Sequence, residues 1–395
     1  MQLLPLFSAL LAALSVSTYV TAAPGTSLEE PKIALSKRDN LLKRDSDEVD
    51  LDKVSTHLNR VAAKYQNSLS SLLANTGLDL TKDIALLQGV SKLAIPIQKR
   101  AGKTGSVSLA TDSTLWHGAI SYGGQRFQID FDTGSADTIV NPDAYHPGSS
   151  AKASGQFTTQ YGDGTTSEGQ VYTDTVQVGG LSAPGAGIGR SNTAFTEPNE
   201  PDSGVAGMAF QSISSTKTAP FFDALIKAKA LAKNVFTFTL SQGTSSLYLG
   251  GTGPANNPTY VNTDTSQGFW LTPDSTIAGQ KIGLIHDTGT TLTIVPVRVA
   301  QGLFASLNVQ TYQSGQELHA TYDCNSPPKV TVKINGFSKD YSSQSLTFGK
   351  RQGQCVMSIV GMDINAPGGI AGDSFLQNVH AVFDRDQNRI GFSSQ

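Results

Sequence analysis

The sequence predicts a mostly β protein built from two related halves. A nine-residue motif occurs twice, Asp-Thr-Gly-Ser-Ala-Asp-Thr-Ile-Val over residues 132–140 and Asp-Thr-Gly-Thr-Thr-Leu-Thr-Ile-Val over residues 287–295. The copies lie 155 residues apart and match at six of nine positions, so an internal duplication explains them better than chance. With 39 glycines and 15% charged residues, the 395-residue chain has the composition of a turn-rich β protein. Alternating Phe127, Ile129 and Phe131 predict a half-buried strand that leads into the first motif.

The repeated aspartates indicate acid–base chemistry. Two carboxylates held close together cannot both ionise cheaply, so they share a proton, and one acts as a base while the other acts as an acid. Asp132 and Asp287 could then activate a water molecule and protonate a peptide bond. Gly134 and Gly289 allow a sharp turn and a close approach of the backbone. Neighbouring hydroxyls are expected to hydrogen-bond the carboxylates and fix them; they belong to Thr133, Ser135, Thr288 and Thr290.

With this pair of motifs the chain resembles a pepsin-like aspartic endopeptidase (family A1) of the fungal secreted type. The resemblance covers residues 115–395 and implies a bilobal pepsin-like acid protease fold, all-β dominated, with two pseudo-symmetric β-barrel-like lobes around a substrate cleft. It implies hydrolysis of extended polypeptides at acidic pH without a metal or an organic cofactor. It also implies inhibition by pepstatin-type compounds and a monomeric enzyme.

A second motif predicts a hairpin over the cleft. Gly-Asp-Gly within Tyr161-Gly162-Asp163-Gly164-Thr165, flanked by β-prone residues, is a good hairpin signal. It resembles the substrate-covering flap of the family, and an ordinary surface hairpin is the alternative. Asp163 in this hairpin is typical of fungal members of the family, and the resemblance implies tolerance of lysine just before the scissile bond. Expected substrate contacts are Tyr161, Gly162, Asp163, Thr165, Gly134, Gly289 and Thr290.

Further segments fit the same family pattern. Residues 202–210 and 370–376 resemble the elements that brace the two aspartate loops. A short helix is expected over residues 221–233, strands over residues 234–240 and 247–251, and a closing strand and turn over residues 382–391.

The start of the chain predicts a secreted precursor. Residues 1–22 contain an apolar run that is short for a membrane span and end in Val20-Thr21-Ala22, which is typical of a signal peptide; a membrane anchor is the alternative. Residues 23–100 carry a net charge of +2, against −5 for the remainder, and end in Lys99-Arg100, a dibasic cleavage pair. This predicts a propeptide over residues 23–100 and lobes over residues 101–242 and 243–395, in an extracellular protein.

Within the expected propeptide, an apolar stripe at helical spacing predicts an amphipathic helix; its members are Leu58, Val61, Ala62, Tyr65, Leu69 and Leu72. The resemblance implies that this segment lies across the cleft and that a basic side chain neutralises the aspartates. The sequence leaves open which Lys or Arg does so. A helical subdomain retained in the mature protein is the alternative.

Cys324 and Cys355 are the only cysteines, and in a secreted chain they are expected to form a disulfide around the 31-residue interval. The family commonly has a bridge at this place.

Two positions depart from the family pattern. Ile139 stands where a tryptophan often bonds the flap tyrosine, so Tyr161 is expected to have another partner or a looser flap. His286 stands where an apolar residue usually precedes the second aspartate. Either it is charged and lowers the pKa of the aspartate pair, or it is a buried neutral side chain, which is the favoured interpretation.

Other functions fit less well. A formal net charge of −3 argues against nucleic-acid binding, and no later segment predicts a membrane span. Gly372-Asp373-Ser374-Phe375-Leu376 superficially resembles a serine esterase motif, with His380 nearby, but it lies at the wrong end of the chain. No metal-site spacing occurs. A catalytically silent binding protein on the same fold is the remaining alternative, and the presence of both aspartates disfavours it.

Overall fold

The computed structural model describes residues 41–44, 46–79, 102–111, 116–160, 166–194, 203–241 and 245–395. The predicted signal peptide, the Lys99-Arg100 cleavage site and the tip of the predicted flap, residues 161–165, lie outside these ranges.

The first half forms an eight-stranded sheet, β2 to β9, with the strand order β2-β3-β4-β9-β5-β8-β7-β6. The strands are Ala110–Thr111 (β2), Trp116–Tyr122 (β3), Gln125–Asp132 (β4), Thr138–Val140 (β5), Lys152–Gln160 (β6), Thr166–Val178 (β7), Leu181–Ser191 (β8) and Gly204–Gly207 (β9). The predicted strand before the first motif is confirmed as β4, because Phe127, Ile129 and Phe131 are buried.

The second half forms an eleven-stranded sheet with the order β19-β18-β13-β14-β23-β15-β22-β17-β21-β20, and β16 pairs with β17. The strands are Leu271–Ile277 (β13), Gln280–His286 (β14), Thr293–Val295 (β15), Gln310–Ser314 (β16), Glu317–Tyr322 (β17), Thr331–Ile334 (β18), Phe337–Asp340 (β19), Thr347–Arg351 (β20), Gln354–Met357 (β21), Ile359–Gly361 (β22) and Gly369–Ala371 (β23).

A third sheet joins the halves in the order β1-β11-β10-β24-β25-β12. Its strands are Gly105–Ser108 (β1), Val235–Thr239 (β10), Ser246–Leu249 (β11), Thr259–Asn262 (β12), Val379–Asp384 (β24) and Arg389–Ser394 (β25). Strands β10, β11, β24 and β25 confirm the predicted strands in these regions. The expected lobe boundary at residues 242/243 falls between β10 and β11, and it stays a prediction.

Five α-helices occur in the described ranges: Leu51–Thr76 (α1), Phe221–Lys227 (α2), Val297–Leu307 (α3), Ser343–Leu346 (α4) and Asp373–Leu376 (α5). Helix α2 is shorter than the 221–233 prediction. It ends because Lys229 adopts a left-handed backbone, φ 55°. Leu231 is then buried and bridges to Lys103, so tertiary contacts override the local helical pattern.

Helix α1 confirms the predicted amphipathic helix. Asp50 caps its start by accepting from the Lys53 backbone, and Gly77, at φ 76°, closes its end. The apolar stripe packs into one cluster with residues of both halves, including Ala209 and Leu292. Of the predicted stripe, only Leu69 is half-buried rather than buried. The helix therefore spans the space between the two halves.

The expected disulfide is present. Cys324 and Cys355 are bonded, with 5.1 Å between their Cα atoms, and the bond links the segment after β17 to β21. Among the described residues, no helix has the length and apolar character needed to cross a membrane.

Candidate active site

Equivalent strand arrangements position the two aspartates. In the first half β4, which ends in Asp132, runs parallel to β9. In the second half β14, which ends one residue before Asp287, runs parallel to β23. The strands that end each motif, β5 and β15, pair antiparallel with β9 and β23. Residues 203–210 and 370–376 therefore brace the two loops, as predicted.

The first carboxylate is held by its own loop. The Gly134 backbone N–H donates to Asp132 Oδ1 at 2.8 Å, and Ser135 Oγ donates to Oδ2 at 2.6 Å. Asp132 is buried, with 3% of its surface exposed. These two donors fix the carboxylate plane and stabilise negative charge on it.

The second carboxylate is held in the same way. The Gly289 N–H donates to Asp287 Oδ1 at 2.9 Å, and Thr290 Oγ1 donates to Oδ2 at 2.6 Å. Ser135 and Thr290 thus play the part expected of them. Equivalent donors on equivalent oxygens indicate a local two-fold arrangement.

The two glycines permit the close approach of the loops. A Cβ atom added at Gly134 would lie 2.5 Å from the Asp287 carboxyl carbon. One added at Gly289 would lie 2.2 Å from Asp132 Oδ1. Because real side-chain carbons do not approach so closely, any larger residue at either position would push the carboxylates apart.

Thr133 and Thr288 do not bond the carboxylates, and this part of the hydroxyl prediction is wrong. Thr133 Oγ1 donates to the His286 carbonyl at 2.8 Å and accepts from the Thr288 N–H at 3.0 Å. Thr288 Oγ1 donates to the Phe131 carbonyl at 2.6 Å and accepts from the Thr133 N–H at 3.1 Å. Each threonine therefore clamps the opposite loop, which is a long-range contact that local sequence does not reveal.

The buried carboxyl groups of Asp132 and Asp287 share Lys64 Nζ as a partner, and each affects the pKa of the other. Burial raises the pKa of Asp132 to about 6, against the nearby charge of Lys64 and reinforced by that of Asp287. Burial also acts to raise the pKa of Asp287, but the Lys64 charge and hydrogen bonds from Asp132, Lys64 and Thr290 outweigh it, so this pKa is lowered. The pair therefore holds one proton between its two carboxyls over a wide acidic range.

Helix α1 places two side chains on this pair. Lys64 Nζ lies 2.8 Å from Asp287 Oδ2 and 3.3 Å from Asp132 Oδ1. Tyr65 OH donates to Asp287 Oδ2 at 2.8 Å. Lys64 also donates to the Gly289 carbonyl at 3.2 Å and to Thr290 Oγ1 at 3.4 Å. A water molecule or a peptide cannot occupy the space between the carboxylates while Lys64 is there.

Sequence reasoning did not identify Lys64, because it is one of twelve basic residues in the leading segment. A signal did exist: Lys64 adjoins Tyr65, a member of the predicted apolar stripe, so it borders the face that packs on the cleft. Tyr65 was predicted to be a core residue, and its hydroxyl contact was not anticipated.

His286 is fully buried, and burial lowers its pKa to about 3. Its Nε2 pairs with Thr272 Oγ1 at 2.9 Å. The favoured interpretation, a neutral side chain, agrees with this environment. Ile139 lies in a small apolar cluster with Phe157 and Val171, and whether Tyr161 has another partner stays a prediction.

The esterase alternative finds no support in the geometry. Ser374 is buried, and its hydroxyl pairs with Thr293 Oγ1 at 2.9 Å. His380 Nδ1 instead pairs with Thr239 Oγ1 at 2.8 Å. Neighbouring Asp373 is fully buried, and both of its carboxylate oxygens lack a partner among the described residues. Burial, followed by the charges of Asp287 and Asp130, raises the pKa of Asp373 well above its usual range.

The arms of the predicted flap form the expected hairpin. Strands β6 and β7 pair antiparallel up to the Gln160 and Thr166 register position. The predicted contact residues Tyr161, Gly162, Asp163 and Thr165 lie outside the described residues. Within the described ranges, no cluster of three or more His, Cys, Asp or Glu side chains could hold a metal ion.

Comparison with known proteins places the chain in a family. The family model for eukaryotic aspartyl proteases matches residues 117–395. The chain is 38% identical to secreted aspartyl protease 1 of Malassezia globosa over 94% of this chain and 95% of that protein. It is 32% identical to penicillopepsin-1 of Penicillium roqueforti over 70% and 77% of the two chains, and 29% identical to aspergillopepsin-1 of Aspergillus oryzae over 79% and 88%. Together with the paired aspartate loops, these matches establish that the chain belongs to the eukaryotic aspartyl protease family, the pepsin-like aspartic endopeptidases.

Proposed function

We propose that this protein is a secreted aspartic endopeptidase, made as a zymogen, in which Asp132 and Asp287 activate water to hydrolyse extended polypeptides at acidic pH. The observation that carries the proposal is the buried carboxyl pair with Lys64 and Tyr65 bonded to it. The carboxyl pair supports catalysis, and the contacts of Lys64 and Tyr65 with it support its blockage before maturation.

The chemistry follows from the shared proton. In the blocked form burial raises the pKa of Asp132 to about 6, whereas the charge of Lys64 helps to lower that of Asp287. Once α1 leaves, the two buried carboxyls still oppose each other's ionisation, so one proton stays shared between them. The ionised carboxyl takes a proton from water as the water oxygen bonds to the carbonyl carbon, and the protonated carboxyl donates its proton to the carbonyl oxygen. The proton taken from water then passes to the leaving amine as the C–N bond breaks, and a hydroxyl of the tetrahedral intermediate returns a proton to the other carboxyl. Activity should fall where both carboxyls are protonated and where both are ionised.

The propeptide role rests on α1. Its apolar stripe packs between the halves, and Lys64 neutralises the pair at the centre. The pKa of Asp287 is lowered in the blocked form, partly by Lys64. The attraction between the two side chains therefore stabilises docking fully at a pH above the ordinary carboxyl pKa, and it is lost as the pH falls through the lowered pKa. Acid therefore loosens the helix, and cleavage after Lys99-Arg100 would make release permanent.

The proposed processing uses residues 1–22 as signal peptide and residues 23–100 as propeptide, leaving lobes over residues 101–242 and 243–395. The match to the Malassezia globosa protein, named a secreted aspartyl protease, covers 94% of this chain and so extends into the leading segment. That shared segment supports secretion of a precursor into the extracellular space.

The substrates proposed are polypeptides bound in extended form, with pepstatin-type inhibitors competing for the same cleft in a monomeric enzyme. Lys64 already contacts the Gly289 carbonyl and the Thr290 hydroxyl, which supports their expected role in binding substrate. Tolerance of lysine before the scissile bond through Asp163 remains part of this proposal. This part is tested by measuring the rate of cleavage after Lys relative to cleavage after Phe in wild type and in Asp163→Ala. An unchanged ratio in the variant would contradict it.

The proposal is tested by digesting denatured casein from pH 2 to 7 with protein matured at Lys99-Arg100. Wild type should be active only in the acidic range and should be blocked by pepstatin. Asp132→Asn and Asp287→Asn should each lose at least about a thousandfold of the activity. A folded, matured wild-type protein without activity would favour the binding-protein alternative. Activity that survives Asp132→Asn would refute the assigned pair.

A further inference from the structure

A second polar site lies under α1, away from the aspartate pair. Glu317 and His319 occupy alternate positions on β17, so their side chains share one face, whereas Leu318 and Ala320 face the core. Glu317 is 3% exposed and His319 is fully buried. A carboxylate buried on a strand face that is not part of the core needs an explanation.

The pair is closed by the propeptide helix. His319 Nε2 lies 3.2 Å from Glu317 Oε2, and Ser55 Oγ of α1 donates to that same oxygen at 2.9 Å. Tyr312 stacks on the His319 ring with 5.1 Å between ring centres. Buried His319 Nδ1 and Tyr312 OH have no partner among the described residues. These two polar atoms are therefore not hydrogen-bonded by α1.

From these contacts we propose that Glu317 and His319 form a subsite of the matured enzyme for a substrate side chain that donates hydrogen bonds, lysine and arginine most strongly, then serine and threonine. The inference rests on the proposed function, because substrate must take the place of α1. Ser55 shows that a donor reaches the carboxylate from the cleft. A cationic donor makes a charge-assisted bond, which is stronger than that of a hydroxyl.

The helix also sets the distance from the scissile bond. Ser55 and Lys64 are nine residues apart on α1, which corresponds to roughly 13 Å along a helix axis. An extended peptide advances about 3.3 Å per residue, so the subsite lies about four residues from the carboxyl pair. Asn75, beyond Lys64 on α1, bonds the Ser212 and Ser214 carbonyls of the first half, so the helix runs from one wall of the cleft to the other.

The test is a positional scan with the matured enzyme and one fluorogenic peptide. Lys is compared with Met, and Ser with Ala, at each position two to six residues from the scissile bond on both sides. Wild type should show about a tenfold Lys-over-Met preference in kcat/KM at one position three to five residues away. Glu317→Gln should reduce that preference below about twofold while leaving cleavage of the Ala and Met peptides within about twofold.

Two further variants act as controls. Glu317→Asp keeps the charge and should retain the Lys preference, and this outcome remains decisive if Glu317→Gln does not fold. Asp340→Asn removes an exposed carboxylate of the same half, paired with Lys329, and should change nothing.

The outcomes separate the subsite from the proposed function. Cleavage by wild type without a Lys-preferring position, or a preference that persists in Glu317→Gln, overturns the subsite alone. Absence of cleavage of every peptide by folded, matured wild type overturns the proposed function and the subsite with it.

Discussion

The two aspartate loops are alike in what holds them and unlike in what touches them. Asp132 and Asp287 each accept from a glycine N–H and a hydroxyl on equivalent oxygens, and Thr133 and Thr288 clamp the opposite loop reciprocally. Yet the pKa of Asp132 is raised to about 6 by burial, whereas that of Asp287 is lowered. A symmetric frame therefore carries an asymmetric charge distribution.

The difference originates outside the duplicated motifs. Lys64 lies nearer Asp287 than Asp132, and Tyr65 bonds Asp287 alone. The bracing segments also differ: Ala209 donates its N–H to the Ser135 carbonyl, while Asp373 donates its N–H to the Thr290 carbonyl. The second loop thus has an additional buried carboxyl beside it. The duplicated motifs explain why the two loops have the same geometry. Helix α1, and residues such as Asp373 that differ between the two halves, explain why the two carboxyls have different pKa values.

The largest expected effect comes from removing the cation that distinguishes the two carboxylates. In Lys64→Met the buried pair loses its counter-charge, which should weaken α1 docking by about 3 kcal/mol or more, at least about a hundredfold. The intact chain should then bind pepstatin near neutral pH, measured by calorimetry with chain length checked by mass spectrometry. Arg60→Met, which removes an exposed cation of the same helix, should leave the chain blocked. Equal pepstatin binding by both variants would contradict the role of Lys64.

The next effect tests the symmetry of the frame. Thr133→Val and Thr288→Val each leave a buried N–H and a buried carbonyl without a partner, so each should lower the free energy of unfolding by about 2–4 kcal/mol. The two losses should agree within about 1 kcal/mol, and the double variant should lose less than their sum. Chemical denaturation measures them, with exposed Thr311→Val as a control. Strongly unequal losses would break the comparison between the loops.

A third effect concerns the pH dependence that α1 introduces. The pKa of His57 is lowered to about 4, mainly by burial and further by the positive charges of Lys64 and Arg60. The negative charge of Asp287 opposes this shift. The docked helix keeps His57 neutral, so docking is strongest above about pH 6.5 and weakens by up to about 3 kcal/mol as the pH falls to about 4. His57→Gln removes this dependence, and its intact chain should convert to the mature form only at lower pH than wild type. Conversion followed by gel electrophoresis across pH checks it, and coincident pH profiles would refute the contribution of His57.

The smallest expected effect concerns the residue before each aspartate, which is Phe131 in the first loop and His286 in the second. Because His286 is buried and its pKa is lowered to about 3, it carries no charge over most of the acidic range. His286→Val should cost about 1 kcal/mol of stability through the lost Thr272 hydrogen bond. The acid limb of the pH–rate profile should not move. A shift of that limb would show that His286 acts on the pair electrostatically.

Local patterns in the sequence predicted the symmetric part of this picture. The repeated motif identified Asp132 and Asp287, and the small residues Gly134 and Gly289 indicated the close approach that the structure contains. The alternation of apolar residues predicted strand β4, and the apolar stripe predicted helix α1. Both patterns can be recognised from residues that are close together in the sequence.

The asymmetric part depends on contacts between distant residues, which local patterns do not encode. Lys64 is 68 residues from Asp132 and 223 from Asp287 in sequence, and nothing in its own neighbourhood requires a carboxylate. Thr133 and Thr288 bond across 155 residues, and their hydroxyls would equally suit their own aspartates. Helix α2 ends early for the same reason, since Leu231 is buried and bridges to the distant Lys103 rather than continuing the helix.

The central claim is that α1 silences a competent carboxyl pair. The most direct measurement is the initial rate of fluorogenic peptide cleavage at pH 5 by two proteins that are produced in parallel and compared at equal concentration. One form is the intact chain, kept uncut by Lys99→Gln and Arg100→Gln, and the other is the chain cut at the unaltered site. The account predicts that the intact form has less than about a hundredth of the rate of the cut form. Equal rates in the two forms would contradict it.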